Sequence, residues 1–362
     1  MAPGRGTRIA FYAPMKPPHH PVPSGDRAIA RNLMAMLTAS GAEVQLASEL
    51  RVYDKQGCAE TQAKLKDAAS QEVARLLRDM PPADLWVTYH NYYKAPDLIG
   101  PAVARARGIP YVQIESTRAQ KRLSGDWAEF ARAAHAAADA AAAIFYFTEH
   151  DHFALQRDRA GSQLLTQLPP FLPRAALPRA SALDGPMLTA AMMRKGDKLA
   201  SYRLIAESLS MMAGDWQLDI AGDGPARPEV EAMMAPFASR VRFLGQLSQD
   251  ALAEAYARAS LLLWPGVNEA FGMVYLEAQA HGLPVVAQDR PGVRDVLLPG
   301  TYPVPEQGAA GLAALATELL GDTALRRHHG THARARIAGR HLEPAAAACF
   351  WNTVTPLIEV SR

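Results

Sequence analysis

Glu269 and Glu277 stand eight positions apart in NEAFGMVYLEAQAHGLPVVA (268–287), around the start of an apolar helical repeat. Asn268 or Glu269 can cap a helix beginning near Phe271, whose apolar face is Phe271, Val274, Leu276 and Ala280. Gly282 ends that helix, and Leu-Pro-Val-Val-Ala follows as a short buried strand, proline being tolerated at a strand's first residue. Glu269 then precedes the helix and Glu277 lies two turns in on its polar side, with the amides of Phe271, Gly272 and Met273 between them. Helix-start amides bind phosphate, and carboxylates accept hydrogen bonds from sugar hydroxyls. A ligand with both chemistries is a nucleotide sugar. A solvated surface helix with two ordinary glutamates is the alternative that spacing alone leaves open.

The paired glutamates, Phe271-Gly272, Glu277-Ala278 and Gly282-Leu283-Pro284-Val285 together resemble the signature of the family-4 retaining glycosyltransferases of the GT-B fold. LDIAGDGP (218–225) is similar to that family's strand and turn before the nucleotide, and VRFLG (241–245) to its next strand. The resemblance is firm over residues 187–298 and thinner before them. It implies an α/β chain of GT-B architecture: two Rossmann-like domains facing across a cleft, with a C-terminal helix crossing back to the first. It further implies transfer of a hexose from a nucleotide-diphosphate sugar, as co-substrate, to an acceptor hydroxyl with retention of configuration.

By the same resemblance Glu269 takes donor-sugar hydroxyls, Glu277 takes the ribose, and the Gly272, Met273 and Val274 amides lie near sugar and phosphates. Gly222 and Gly224 let backbone approach the nucleotide, although Gly-Asp-Gly-Pro is also an ordinary tight turn. The leaving diphosphate must be neutralised by a metal ion or by protein cations. No Asp-x-Asp pair occurs, whereas MMRKGDK (192–198) brings Arg194, Lys195 and Lys198 to the end of a strand. Aligning Lys195-Gly196 with the family's Lys-Gly puts Ala190 where the family has arginine. Pairing Arg194 with Lys198 keeps both charges and is preferred. The expectation is a metal-independent enzyme without a cofactor. His150-Asp151-His152 has no third ligand, and residues two apart diverge on a helix, so it is not read as a metal site.

The elements that position these groups alternate. RIAFYA (8–13) reads as a strand, and a helix from Ser24 to Gly41 follows, with Ile29, Leu33, Met36 and Leu37 at helical spacing. Strands EVQLA, LWVTYH, PYVQIE and AIFYFT are each preceded by a helical stretch, which implies a parallel, doubly wound sheet. LPPFLPRAALPRASALDGP (168–186) has no apolar period and reads as the connection. The domains are therefore placed at 1–175, with 343–362 packing back on it, and 183–342. In the second, strands MLTAAMM, WQLDIAG, VRFLG and SLLLWPG alternate with helices. Ligands of such sheets bind beyond the strands' carboxyl ends.

On the N-terminal side three loops follow strands and are candidates for the acceptor or diphosphate: Ser24, Gly25, Asp26 and Arg27; His90, Asn91 and Tyr92; and Glu115. Simple helix capping is the rival reading for Ser24, Asp26 and Glu115. Glu115 stands where many relatives carry a histidine, so that role does not transfer unchanged.

At 362 residues and 49% hydrophobic, the chain can fill two cores. A net charge of +2 gives no sign of nucleic-acid binding, and 2 distant cysteines form no disulfide framework. No signal-type core or membrane-length apolar run is evident, so a cytoplasmic protein is expected, with any membrane contact peripheral. Rival functions are a sugar-nucleotide epimerase, a phosphorolytic enzyme on the same scaffold, or a non-catalytic nucleotide-sugar-binding subunit.

Overall fold

The computed structural model describes residues 2–22 and 24–361; Pro23, at the head of the PSGDR loop, lies outside them. The chain divides into two compact units, one running to Pro169 and resuming at Glu343, the other spanning Pro170–Leu342. The division falls upstream of the 175–183 interval expected from sequence. Leu172 is the reason: it pairs with Leu342, and its N–H bonds to His341 O at 2.8 Å, so the proline-rich segment is already part of the second unit.

The first unit alternates strictly: β1 (Arg8–Tyr12), α1 (Gly25–Ala39), β2 (Glu43–Ser48), α2 (Ala59–Asp79), β3 (Leu85–Asn91), α3 (Gly100–Arg107), β4 (Tyr111–Ser116), α4 (Ala128–Ala140), β5 (Ala143–Tyr146), α5 (Glu149–Arg157) and β6 (Leu164–Gln167). Its parallel sheet has the order β2-β1-β3-β4-β5-β6. Strands buried on both faces read as continuous apolar runs, as IAFY and LWV do, and their side chains are almost fully covered. The helix Glu343–Ser361 belongs to this unit, with Phe350 stacked on Phe145 at 5.2 Å and Cys349 Sγ donating to Gln167 O at 3.1 Å. β6 was not expected, because LLTQ is short and only half-buried.

The second unit carries β7 (Met187–Ala190), α6 (Asp197–Met211), β8 (Leu218–Ala221), α7 (Arg227–Met234), β9 (Val241–Gly245), α8 (Gln249–Arg258), β10 (Leu262–Leu263), α9 (Met273–Ala280), β11 (Val285–Val286), α10 (Val293–Val296), α11 (Gly308–Gly321) and α12 (Thr323–Arg340). The parallel order is β11-β10-β7-β8-β9. The chain runs outward from β7 through β8 to β9, then returns to the other edge of β7 for β10 and β11. Loops after β7, β8 and β10 therefore gather at the carboxyl ends, where such sheets bind ligands. β7 is shorter than MLTAAMM suggests: Ala191 and Met193 leave the strand and bond instead to Ala221, the last residue of β8, and to Asp223 in the loop after it.

Candidate functional site

At the carboxyl end of the second sheet, the loop after β7 is sewn to the loop after β8. Ala191 N bonds to Ala221 O at 3.0 Å, Met193 N to Asp223 O at 2.9 Å, and Ala226 N to Met193 O at 3.0 Å. The two glycines in the second loop make this possible. Gly222 and Gly224 have φ of 140° and 152°, and a Cβ at either would lie 1.9 Å from Ala191 O or 2.3 Å from Met193 O. The close approach they permit is thus to neighbouring backbone, which sequence alone could not distinguish from approach to a ligand.

These loops bound a cavity of about 390 Å3 lined by Arg194, Gly222, Gly224, Gln246, Tyr256 and Glu277 among others. The structure therefore brings Arg194 and both glycines to the same hollow as Glu277. Arg194 is exposed and, among the described residues, forms no ion pair. Lys195 points elsewhere, to Glu229 at 3.9 Å, and does not line the cavity.

Glu277 is held by Tyr256, whose hydroxyl donates to Oε2 at 2.9 Å. Tyr256 is itself fixed by stacking on His281, with centroids 5.3 Å apart. Burial raises the Glu277 carboxyl above its usual range, and the Tyr256 bond and the charge of Arg174 only partly offset that. Sequence reading missed Tyr256 because it occupies an apolar-period position of α8. A raised carboxyl loses its charge first as pH falls, so ligand hydroxyls bound by Glu277 should be released at a higher pH than an ordinary carboxylate would release them. Tyr256→Phe removes the bond that lowers the pKa. In that variant nucleotide-sugar affinity is expected to fall at higher pH than in the unaltered protein, measured by calorimetric titration across pH; superimposable profiles would remove Tyr256 from the site.

Glu269 lies within the loop joining β10 to α9. Its Oε1 accepts from Lys198 Nζ in a short ion pair and from Trp264 Nε1 at 2.9 Å. Lys198 also lies over the Trp264 ring, 5.2 Å from its centroid. Both donors converge on one carboxylate oxygen, which leaves Oε2 for a ligand hydroxyl. Neither Asn268 nor Glu269 caps α9: the cap position is Gly272, with no side-chain bond, and the helix starts at Met273. Asn268, at φ 49°, instead donates to Asp197 Oδ1 at 2.9 Å and ties this loop to the start of α6. Phe271 is only 6% exposed, so its side chain is core, while the first-turn amides of Met273 and Val274 open the helix.

In the first unit, His90 and Glu115 end adjacent strands, both at positive φ (63° and 60°). With Asn268 they are three of the four non-glycine residues in that region among the described residues. Such strain gathers at functional sites. His90 Nδ1 lies 3.0 Å from Asp26 Oδ1 and 3.7 Å from Glu115 Oε2, and the Tyr89 hydroxyl sits beside the Glu115 carboxyl. Burial would lower the His90 pKa, yet the Glu115 charge and the Asp26 bond together raise it. Burial raises Glu115, and the charge of His90 offsets part of this. Burial likewise opposes ionisation of Asp26, but its bond to His90 and the imidazole charge win, and its pKa is lowered.

The other residues of these loops fare differently. Asn91 is fully buried: it donates to Ser116 Oγ at 3.1 Å and Ala134 O at 3.0 Å and accepts from Asp97 N at 2.9 Å, so it fixes the loop and is withdrawn from any ligand. Ser24 is the N-cap of α1, accepting from Arg27 N at 3.2 Å. Arg27 holds the preceding loop through His20 O at 2.9 Å and Pro21 O at 3.2 Å. Gly25 is exposed, and Tyr92 packs at 4.8 Å from His90. His152 stacks on Tyr146, and no group of three or more metal-ligand side chains occurs among the described residues.

Residues 194–322, which carry Arg194, Lys198, Glu269 and Glu277, match the model of the family described as Glycosyl transferases group 1. The match covers about a third of the chain, within its second unit. Over 139 residues, 37% of its length, the chain is 35% identical to a GDP-mannose-dependent alpha-mannosyltransferase of Mycolicibacterium smegmatis, covering 35% of that protein. It is 31% identical over 149 residues to an alpha-D-kanosaminyltransferase of Streptomyces kanamyceticus, covering 40% of this chain and 39% of that one. The chain thus spans little more than a third of each. Sucrose-phosphate synthase from Thermosynechococcus elongatus superposes with a TM-score of 0.73 at 19% identity, over 98% of this chain and 100% of that one. Anabaena HepE, solved with UDP and glucose, gives 0.69 at 16%, over 97% of this chain and 100% of that one. The fold is that of the GT-B glycosyltransferases. No helix among the described residues is long and apolar enough to cross a membrane.

Proposed function

We propose that this chain is a retaining, metal-independent hexosyltransferase that uses a nucleotide-diphosphate sugar and an acceptor hydroxyl. The carrying observation is the hollow that joins an unpaired cation, Arg194, to the tyrosine-held carboxylate of Glu277. Glu277 takes the ribose hydroxyls and Arg194 the diphosphate. Glu269 Oε2 orients the sugar while Lys198, shared with Oε1, adds positive charge beside the phosphates. The bond from the anomeric carbon to phosphate oxygen breaks, and a bond from that carbon to the acceptor oxygen forms on the same face. The acceptor's proton passes to the leaving phosphate oxygen, so no protein nucleophile or metal is required. The match of residues 194–322 to the Glycosyl transferases group 1 model and the donor named for the mycobacterial relative support this reading, as does the bound UDP and glucose of HepE.

The acceptor belongs to the first unit, at Asp26, His90, Tyr92 and Glu115. His90, whose pKa the Glu115 charge and the Asp26 bond raise against burial, is suited to orient a hydroxyl. The test is release of free nucleotide diphosphate in EDTA from UDP-, GDP- and ADP-sugars, with and without an acceptor panel. Release with one donor, dependent on acceptor and insensitive to EDTA, is the expected result. Loss of release in EDTA would remove metal independence. Conversion of donor without acceptor would turn the assignment to an epimerase, and binding without turnover to a regulatory subunit.

A further inference from the structure

Beyond His90 the aromatic surface of the first unit continues. Ring centroids step from His90 to Tyr92 at 4.8 Å, to Tyr93 at 5.5 Å, and to Trp127 at 5.8 Å. Two cations are gathered on the far end. Lys94 Nζ lies 5.7 Å from the Tyr93 centroid and 5.2 Å from that of Trp127, and the Arg122 guanidinium lies 5.1 Å and 5.2 Å from the same two rings. Like charges on shared rings repel, and a carboxylate would ordinarily relieve them. None does: among the described residues neither cation forms an ion pair. Asp54, whose N–H bonds to Lys94 O, spends its carboxylate on Gln62, Gln56 N and Gly57 N. Some other cations of this unit are paired, Lys66 with Glu129, Arg118 with Asp139 and Arg157 with Asp158.

An unpaired lysine and arginine on one aromatic platform, beyond the carboxyl ends of β3 and β4, form an anion site lacking its anion. Arginine supplies a planar fork and lysine a point charge, the combination that recognises phosphate, while the aromatic faces between them and His90 suit a sugar ring. We propose that Lys94 and Arg122 bind a phosphate group borne by the acceptor, whose hydroxyl is presented at His90. The word acceptor rests on the transferase reading; the phosphate site does not, and its test needs no donor.

The full-length protein is titrated calorimetrically with glucose 6-phosphate and glycerol 3-phosphate, with glucose and glycerol as neutral controls. Vesicles of phosphatidylglycerol, against phosphatidylcholine, probe a lipid-borne phosphate by cosedimentation. Phosphorylated probes, or phosphatidylglycerol vesicles, are expected to bind at least about tenfold more tightly than their neutral counterparts. The Lys94→Gln/Arg122→Gln variant should lose about that factor, and the Lys94→Arg/Arg122→Lys exchange should keep it. Unchanged melting of both variants, whose cations are solvent-accessible, excludes a folding artefact. Binding by the soluble phosphates assigns a free metabolite, and binding only by anionic vesicles assigns a lipid headgroup. Equal affinity in the double glutamine variant, or no binding of any phosphate probe, overturns the proposal. Phosphate binding that persists while no nucleotide sugar binds would instead sink the transferase reading alone.

Discussion

Glu269→Ala is expected to lower kcat/KM for sugar transfer by about 10²- to 10³-fold, the scale on which one preorganised polar group acts in a transition state. Lys198 Nζ and Trp264 Nε1 lock Oε1 from two different elements, so the free Oε2 is aimed before any ligand arrives. Alanine removes that acceptor and leaves Lys198 beside Trp264 without its counter-charge. The pair is partly solvated, at 27% and 15% side-chain exposure, so the stability cost should be about 1–2 kcal/mol, well below that of a fully buried pair. Glu269→Gln keeps an oxygen for both donors but loses the charge, and should fall between. Steady-state kinetics at saturating acceptor, with urea unfolding of each variant, separates the two effects. Near-normal turnover in Glu269→Ala would sink the site assignment.

Regular elements were legible where burial imposes a period. Leu33, Met36 and Leu37 gave α1, and the unbroken apolar runs of IAFY and LWV gave β1 and β3. The edge strand β6 carries no such run, and the helices between Val293 and Arg340 are too rich in alanine, glycine and charge to show their faces. The site was legible as residue types but not as partnerships. Lys198 and Glu269 are 71 positions apart, and nothing local says that the cation expected for phosphate is also the carboxylate's partner. Asn91 looked like a ligand residue because it follows a histidine at a strand end. Its burial depends on Gln113, Ser116 and Ala134, which only the sheet register brings to it. Tyr256 was hidden for the converse reason, an apolar-looking position whose hydroxyl holds Glu277.

Gly222→Ala is the substitution expected to cost most in stability, about 3 kcal/mol or more, because it combines an unfavourable φ with a collision that no rotamer can avoid. The atom it would strike, Ala191 O at 1.9 Å, is backbone, and on its other side Gly222 N is bonded to Gly245 O at 2.7 Å. To admit a methyl group, the loop after β7 must part from the loop after β8, losing the bonds that Ala191 and Met193 make across the seam. At roughly 2–4 °C per kcal/mol for a unit of this size, the melting temperature should fall by about 6–12 °C. The same seam carries Arg194 and faces Glu277, so donor affinity should fall with it even well below the melting transition. Gly25→Ala, at an exposed position with nothing within 4 Å of an added Cβ, supplies the comparison and should melt nearly as the unaltered protein does. A Gly222→Ala protein that melted normally and bound nucleotide sugar normally would show that the two loops can separate freely, and the hollow between them would then not be the rigid, preformed site on which the assignment of Arg194 and Glu277 depends.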